Sequence, residues 1–277
     1  MKIGFVTDST ADISREIAEQ HGIEVVPALV NIDGKSYADG VEISREEFYR
    51  RLPGMRPPPT TSAPSVGSLQ ERYEKLLGNG VKHILSIHPP NELSGTYNAA
   101  RLAAQEFGRK VKVLDSGQLS LGIGFQIILG AEAAARGALL DEVLEIIKSV
   151  GRRVRVAALL DTIEYVRRSG RVSWPTAMIG GLLHLQPVIE LRHGILHRLG
   201  QARTRLQGIE RLVEALNSWG PLERLGVLHT NAEAAARQLM ESVKSKVTVP
   251  PLLVNVTTAI GTHVGPNGLG FAAVPIS

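Results

Sequence analysis

Residues 81–88, Val81-Lys82-His83-Ile84-Leu85-Ser86-Ile87-His88, and residues 111–115, Val111-Lys112-Val113-Leu114-Asp115, are two short β-rich runs. Between them, 95–107 runs Gly95-Thr96-Tyr97-Asn98-Ala99-Ala100-Arg101-Leu102-Ala103-Ala104-Gln105-Glu106-Phe107, a helix-forming composition opened by Ser94. Two strands joined by a helix of this length form a parallel βαβ unit. That reading extends upstream. Lys2 to Thr7 and Ile23 to Asn31 read as strands, and 13–21, 45–52 and 66–78 as helices; downstream, 119–137 reads as a further helix. Ser44-Arg45-Glu46-Glu47 is a capping box for the helix at 45–52, and Asp33-Gly34 marks a hairpin turn before it. The five prolines between Pro53 and Pro64 make a stiff loop that presents Thr60, Thr61 and Ser62, with Ser65 placed to cap the next helix.

The texture changes at Arg152-Arg153-Val154-Arg155-Val156. A strand into Leu160, a short helix, a hairpin from Val188 to Arg205 centred on His193-Gly194, a helix near 208–218, a strand near 223–229, a helix near 231–244 and two closing strands follow. The expected architecture is therefore two α/β domains, 1–151 and 152–277. The strand–helix alternation makes the first of these a parallel-sheet domain.

The chain has 277 residues, 43% hydrophobic and 21% charged, in keeping with a folded globular protein. A net charge of +4 and 4% aromatic content leave little for nucleic-acid binding, which needs a basic face and stacking platforms. Without cysteine there is no disulfide, thiolate nucleophile or cysteine metal site. With an apolar run at the N-terminus too short for a signal peptide, the expected location is cytoplasmic. Ile123 to Ala135 is apolar but carries Gln126 and Glu132, so it reads as a buried helix too short to span a bilayer.

Several enzyme signatures fail. Gly268-Leu269-Gly270 with Ala273 has no following helix to receive a pyrophosphate, and Gly34-Lys35-Ser36 lacks the first glycine of a phosphate loop. His193 and His197 fall on opposite arms of a turn, so no metal is expected. Ser94, His263 and Asp115 have the residue types of a hydrolytic triad, but Glu92 and Thr96 stand where a nucleophile elbow has glycines. Ser94-Gly95-Thr96 also fits a helix start, where unpaired N–H groups can hold an anion, and Thr7-Asp8-Ser9-Thr10-Ala11-Asp12 poses the same choice between capping and binding. Gly261-Thr262-His263-Val264-Gly265-Pro266-Asn267-Gly268-Leu269-Gly270 reads as a loop between two strands, with His263 free to act as a base or a polar ligand. Arg167-Arg168-Ser169-Gly170-Arg171 has the form of a helix C-terminus, and Arg198, Arg203 and Arg205 of a basic strand.

In order along the chain, Thr7 to Asp12, Thr61-Ser62-Ala63-Pro64-Ser65, Leu93 to Tyr97, Leu114-Asp115-Ser116, Leu160 to Tyr165, Gly170-Arg171, Arg203-Thr204 and Gly261 to Pro266 resemble the DegV family of fatty-acid-binding proteins, nearly end to end. The resemblance implies an N-terminal three-layer parallel sheet with helices on both faces and a C-terminal α/β domain with a mixed sheet, with a ligand tunnel between them. It also implies a non-catalytic carrier, without a cofactor, that holds one long-chain fatty acid in that buried tunnel. It presents the carboxyl group to a separate fatty acid kinase subunit of the dihydroxyacetone-kinase type, and the acyl phosphate feeds phospholipid synthesis, so transient proximity to a membrane is compatible with it. By motif, Thr61, Ser94, Gly95 and His263 are carried over as carboxyl-binding residues, and Arg171 and Arg203 as the residues related to the kinase and the phosphate. On this reading a protonated His263 would join the two arginines in meeting the added negative charge. The alternatives from other classes are an acid-sensing or lipid-binding module without a kinase, and an acyl hydrolase using Ser94 and His263. Ala63, His88-Pro89-Pro90-Asn91-Glu92, Gln186 and Asn267 depart from the family's usual residues near the implied head-group end.

Overall fold

The computed structural model describes residues 2–172 and 185–276. Its strands are β1 Ile3–Asp8, β2 Ile23–Val26, β3 Leu29–Ile32, β4 Lys35–Ala38, β5 Thr60–Ser62, β6 His83–His88, β7 Val111–Asp115, β8 Arg155–Leu159, β9 Gln186–Arg192, β10 Ile195–Ala202, β11 Leu222–His229, β12 Leu252–Asn255 and β13 Leu269–Pro275. The α-helices are α1 Arg15–His21, α2 Arg45–Arg51, α3 Val66–Gly78, α4 Thr96–Ala104, α5 Leu121–Ala135, α6 Leu140–Arg153, α7 Glu164–Ser169, α8 Arg205–Ser218, α9 Glu233–Val243 and α10 Thr258–Val264.

The unit at 81–115 is built as its pattern implies: β6 pairs in parallel with β7 across α4, and β1 lies between β6 and β2, giving a parallel sheet in the order β2-β1-β6-β7. A six-stranded mixed sheet takes all its strands from residues 155–275, in the order β10-β9-β8-β13-β11-β12. The fold is thus mixed α/β. The run expected as one strand from Ile23 to Asn31 is two, in different sheets: β3 joins a three-stranded sheet, β4-β3-β5. Proline at 27 lacks the N–H that a continuing ladder needs, and the next N–H, of Ala28, donates to Ser9 Oγ at 3.1 Å. The proline loop likewise holds a short strand, since β5 pairs with β3 through Val30 opposite Thr61.

Helix α6 has no counterpart in the sequence reading, and the expected boundary after residue 151 falls inside it. Its neighbour α5 is apolar almost all round because residues 121–131 are buried on every side. Ile123 and Ile127 pack with Phe5, Leu85 and Ile87 of the parallel sheet. Leu121, Phe125 and Leu129 pack with Val156, Ala272 and Val274 of the mixed sheet. One helix thereby joins the cores of both sheets. Among the described residues no helix is long and apolar enough to cross a membrane.

Candidate functional site

The stretch expected as a loop around His263 begins as helix. Thr258–Val264 forms α10, and the turn to β13 starts only at Gly265, whose φ of 81° ends the helix. The glycine at 261, expected to loosen a loop, serves packing: a Cβ there would stand 2.3 Å from Tyr49 Oη and 2.6 Å from two ring carbons. Only a residue without a side chain lets the helix lie this close to the buried Tyr49 ring.

Helix α10 is clamped at its N-terminal end by side chains from the first 50 residues. Asp39 accepts from Thr258 N at 3.1 Å and Thr258 Oγ1 at 2.6 Å, and also from Thr257 Oγ1. Asp12 accepts from Thr257 N at 2.8 Å and Ser120 Oγ at 2.6 Å, with Arg45 Nη1 3.2 Å away. Tyr49 Oη donates to Val256 O at 2.9 Å. Burial pushes the Asp12 carboxyl up to about 6, opposed by Arg45, Ser120 and Thr257, while Asp39 adds to the rise. Both carboxylates face the positive end of the helix dipole, where negative charge is favoured.

At the other end of α10, His263 Nε2 lies 2.8 Å from Thr61 Oγ1 on β5, a contact between residues 202 apart. Ser94, two residues before α4, has its Oγ 2.9 Å from Thr96 Oγ1 and accepts from Thr96 N at 3.3 Å. The first turn of α4 leaves backbone N–H groups without intrahelical acceptors beside it. Arg171 follows the left-handed Gly170 that ends α7. Thr61, Ser94, Gly95, Arg171 and His263 share the wall of one cavity of about 140 Å³. A second cavity of about 80 Å³ adjoins it, and Leu119, Ile189, Leu196, Ile260 and Val264 line both. The lining of the second is almost wholly aliphatic, from β8, β9, β11 and β13. The first, whose largely apolar wall carries these polar groups, is called the polar chamber and the second the apolar one.

The structure brings five of the six expected residues together, and leaves Arg203 out. That arginine is exposed ahead of α8, with its N–H 3.3 Å from Gln207 Oε1, and is not part of this wall. The expected protonation of His263 concerned a ring facing an added phosphate; the ring by itself is in the other state. Burial drives the ring down to about 4, the Arg171 guanidinium adds to the shift, and the imidazole is neutral at neutral pH.

Hydrolytic geometry is not assembled at Ser94. Its hydroxyl is held by Thr96, the His263 ring by Thr61, and Asp115 accepts from Asn91 N at 3.2 Å and Gly117 N at 2.8 Å. An Asp-His-Ser order does occur elsewhere: His88 Nδ1 is 2.7 Å from Asp8 Oδ2 and His88 Nε2 is 2.7 Å from Ser86 Oγ, which meets Tyr73 Oη at 2.8 Å. All four side chains are buried and none lines the polar chamber. The network accounts for His88 as a structural residue: Asp8 also caps the turn that carries Thr10, accepting from its N–H at 3.0 Å, and Thr10 lines the chamber. At residues 7–12 each reading has a residue: Asp8 caps, and Thr10 lines the chamber. Among the described residues no group of His, Asp and Glu gathers as metal ligands.

Residues 2–275 match the family model described as the uncharacterised DegV family. The chain belongs to the DegV family. A DegV domain-containing protein of Caldanaerobacter subterraneus is 31% identical over 274 residues, covering 97% of each chain. Two solved DegV structures superpose over all of both chains: a fatty-acid-binding DegV family protein from Thermus thermophilus, at a TM-score of 0.90 and 33% identity, and DegV of Bacillus subtilis, described as a fatty acid binding protein, at 0.87 and 30%. The clamp formed by Asp12, Asp39, Arg45 and Tyr49 was missed from the sequence. Val256-Thr257-Thr258 ahead of an apolar run was its only local signal, because the partner carboxylates lie more than 200 residues away.

Proposed function

We propose that this protein binds one long-chain fatty acid, with the carboxyl group in the polar chamber and the alkyl chain in the apolar one. The observation that carries the reading is the junction of the two chambers: hydroxyls of Thr61 and Ser94, the His263 ring and the start of α4 at one end, aliphatic side chains at the other. Burying a methylene contributes roughly 0.8 kcal/mol, so a chain of about fourteen supplies on the order of 11 kcal/mol before the cost of lost freedom. A carboxylate taken from water needs donors, and Thr61, Ser94 and the Gly95-Thr96 backbone are the groups we assign to it. The fatty-acid-binding descriptions of the Thermus and Bacillus relatives support the same ligand class.

The protein performs no bond chemistry in this reading. It presents the carboxyl group to a separate kinase of the dihydroxyacetone-kinase type, with exposed Arg171 at the chamber and Arg203 ahead of α8 meeting the partner or the new phosphate. We assign the chain's division to 1–151 and 152–277, and its place of action to the cytoplasm, within the same proposal. Solvent extraction of the denatured protein followed by mass spectrometry tests the ligand. A stoichiometric long-chain acid, lost in the Ser94→Ala, His263→Gln double variant, supports the reading; no acid bound and none taken up from solution refutes it. The kinase step is tested separately, by acyl-phosphate formation with a purified kinase subunit and Arg171→Ala or Arg203→Ala, each of which should lower turnover while leaving the bound acid in place.

A further inference from the structure

The six-stranded sheet carries a second, larger cavity on its other face. Along β9, Ile189 and Leu191 point to the apolar chamber, and the alternating Val188, Glu190 and Arg192 point to an open groove of about 930 Å³ beneath α8. Arg152, Arg153, Arg155, Arg192 and Arg211 line this groove, against Glu190, Glu210 and Glu214. Arg153 is paired with Glu223 at 2.9 Å and Arg192 with Glu190 Oε2 at 2.8 Å. Arg152, Arg155 and Arg211 have no carboxylate within ion-pair distance among the described residues.

Two details indicate a built site. The register of β10 shifts between Arg198 and Gly200, and a Cβ at Gly200 would stand 2.7 Å from Arg211 Nη1, so the glycine leaves the guanidinium room to lie over the strand. At the floor, Glu190 is only 2% exposed, yet its Oε1 has no hydrogen-bond partner, and neither has the buried Nε of Arg153. A buried carboxylate oxygen without a donor is costly, and a ligand that supplies one relieves that cost. Guanidiniums without carboxylates favour an anion whose oxygens match their planar fork, and phosphate is the best match.

We infer that this groove binds an organic phosphate that offers two non-bridging, negatively charged oxygens and one N–H or O–H group, the arginines holding the phosphate and Glu190 Oε1 accepting the donor. The inference is independent of the lipid chamber, since it uses the opposite face of the sheet. Both a soluble phosphate compound and a phospholipid headgroup carry this chemistry, and the experiment separates them. GTP, which has phosphates and N–H donors, and inorganic tripolyphosphate, which has only the former, are titrated calorimetrically into the full-length protein, and sedimentation with phosphatidylglycerol vesicles is measured in parallel. GTP should bind, tripolyphosphate more weakly, and Arg211→Gln and Arg155→Gln should each weaken GTP about tenfold without changing the bound fatty acid. Vesicle binding alone, abolished by Arg211→Gln, would keep the phosphate chemistry and assign the source to lipid. Silence with all three probes, or affinities unchanged by both substitutions, would overturn the site; equal binding of GTP and tripolyphosphate would overturn the part given to Glu190.

Discussion

The two ends of α10 meet the rest of the molecule through opposite chemistry. At Thr257 and Thr258 two buried carboxylates, Asp12 and Asp39, accept from backbone and hydroxyl donors with almost no solvent access. At His263 a neutral ring makes one hydrogen bond, to Thr61, beside an open chamber. The first end is saturated and the second is not. A saturated buried charge fixes where a helix sits, and a singly bonded polar group keeps capacity for a ligand. The difference assigns stability to one end and binding to the other of the same seven-residue helix.

The sharpest way to break that assignment is to remove each end in turn. Asp39→Ala strips the partner from three donors on Thr257 and Thr258, and should lower the unfolding free energy by about 4 kcal/mol in a urea titration. His263→Gln loses one partly exposed bond and should cost less than about 1 kcal/mol in the same measurement. Equal losses at the two ends would remove the distinction.

Acid should pull the ends in opposite directions. Asp12 titrates at about 6 in the folded protein against 3.8 for the free side chain, so between those values the folded chain holds a proton that the unfolded chain does not. Stability from Asp12 therefore rises as pH falls through about 6, and is lost as pH rises through it. His263 titrates at about 4 against 6.5, so in that window the unfolded chain holds the extra proton and stability is lost as pH falls. Each shift is worth at most about 3 kcal/mol, and over their common range they largely cancel. His263→Gln should expose the Asp12 trend, with the unfolding midpoint rising relative to the parent from about pH 6.5 down to about pH 4. Asp12→Asn should show the reverse. Parallel pH profiles for the two variants would refute the assignment.

Next in size are the ligand contacts. Thr61→Val and Ser94→Ala should each weaken fatty acid binding about tenfold, measured by displacement of a fluorescent acid, while leaving the urea midpoint near that of the parent. A stability loss that accompanies the affinity loss would make these hydroxyls structural. A loss of affinity in Asp39→Ala without destabilisation would move the binding role to the clamp.

The parallel sheet and its helices were legible because period and turn chemistry are local: 81–115 needed only its own residues, and so did the cap at Ser44, whose Oγ accepts from Glu47 N at 3.1 Å. The break at Pro27 and α6 also had local signals, a proline within a strand run and apolar Val143, Leu144, Ile147 and Val150 at helical spacing, whereas the helical start at 258 had almost none, because distant segments decide it. Val143 and Ile147 of α6 are buried against the same cluster as Phe5 and Leu85, and α10 is held by Asp12 and Asp39. The candidate site was half legible. Motifs supplied Thr61, Ser94, Gly95, Arg171 and His263, which gather, but no local pattern separates Arg203, which lies outside the wall, from Arg171, which lies within it. The neutral resting state of the His263 ring was not legible for a related reason: residue type sets the ordinary range of a pKa, and burial by distant segments sets the shift.

The smallest effect tests how that shift is divided. Burial is its larger cause and the Arg171 guanidinium the lesser. Arg171→Gln should therefore move the His263 pKa upward from about 4 without restoring it to 6.5, as followed by the imidazole proton resonances in an NMR titration. Full restoration would mean that the ring is wetter than the packing of α10 against β5 indicates, and would weaken the contrast between its two ends. No movement would mean that Arg171 does not face the chamber. The intermediate result keeps the ring neutral at neutral pH with or without the arginine. It then meets a carboxylate as a hydrogen-bonding partner without a charge of its own, and Arg171 keeps its charge for the phosphate or the partner.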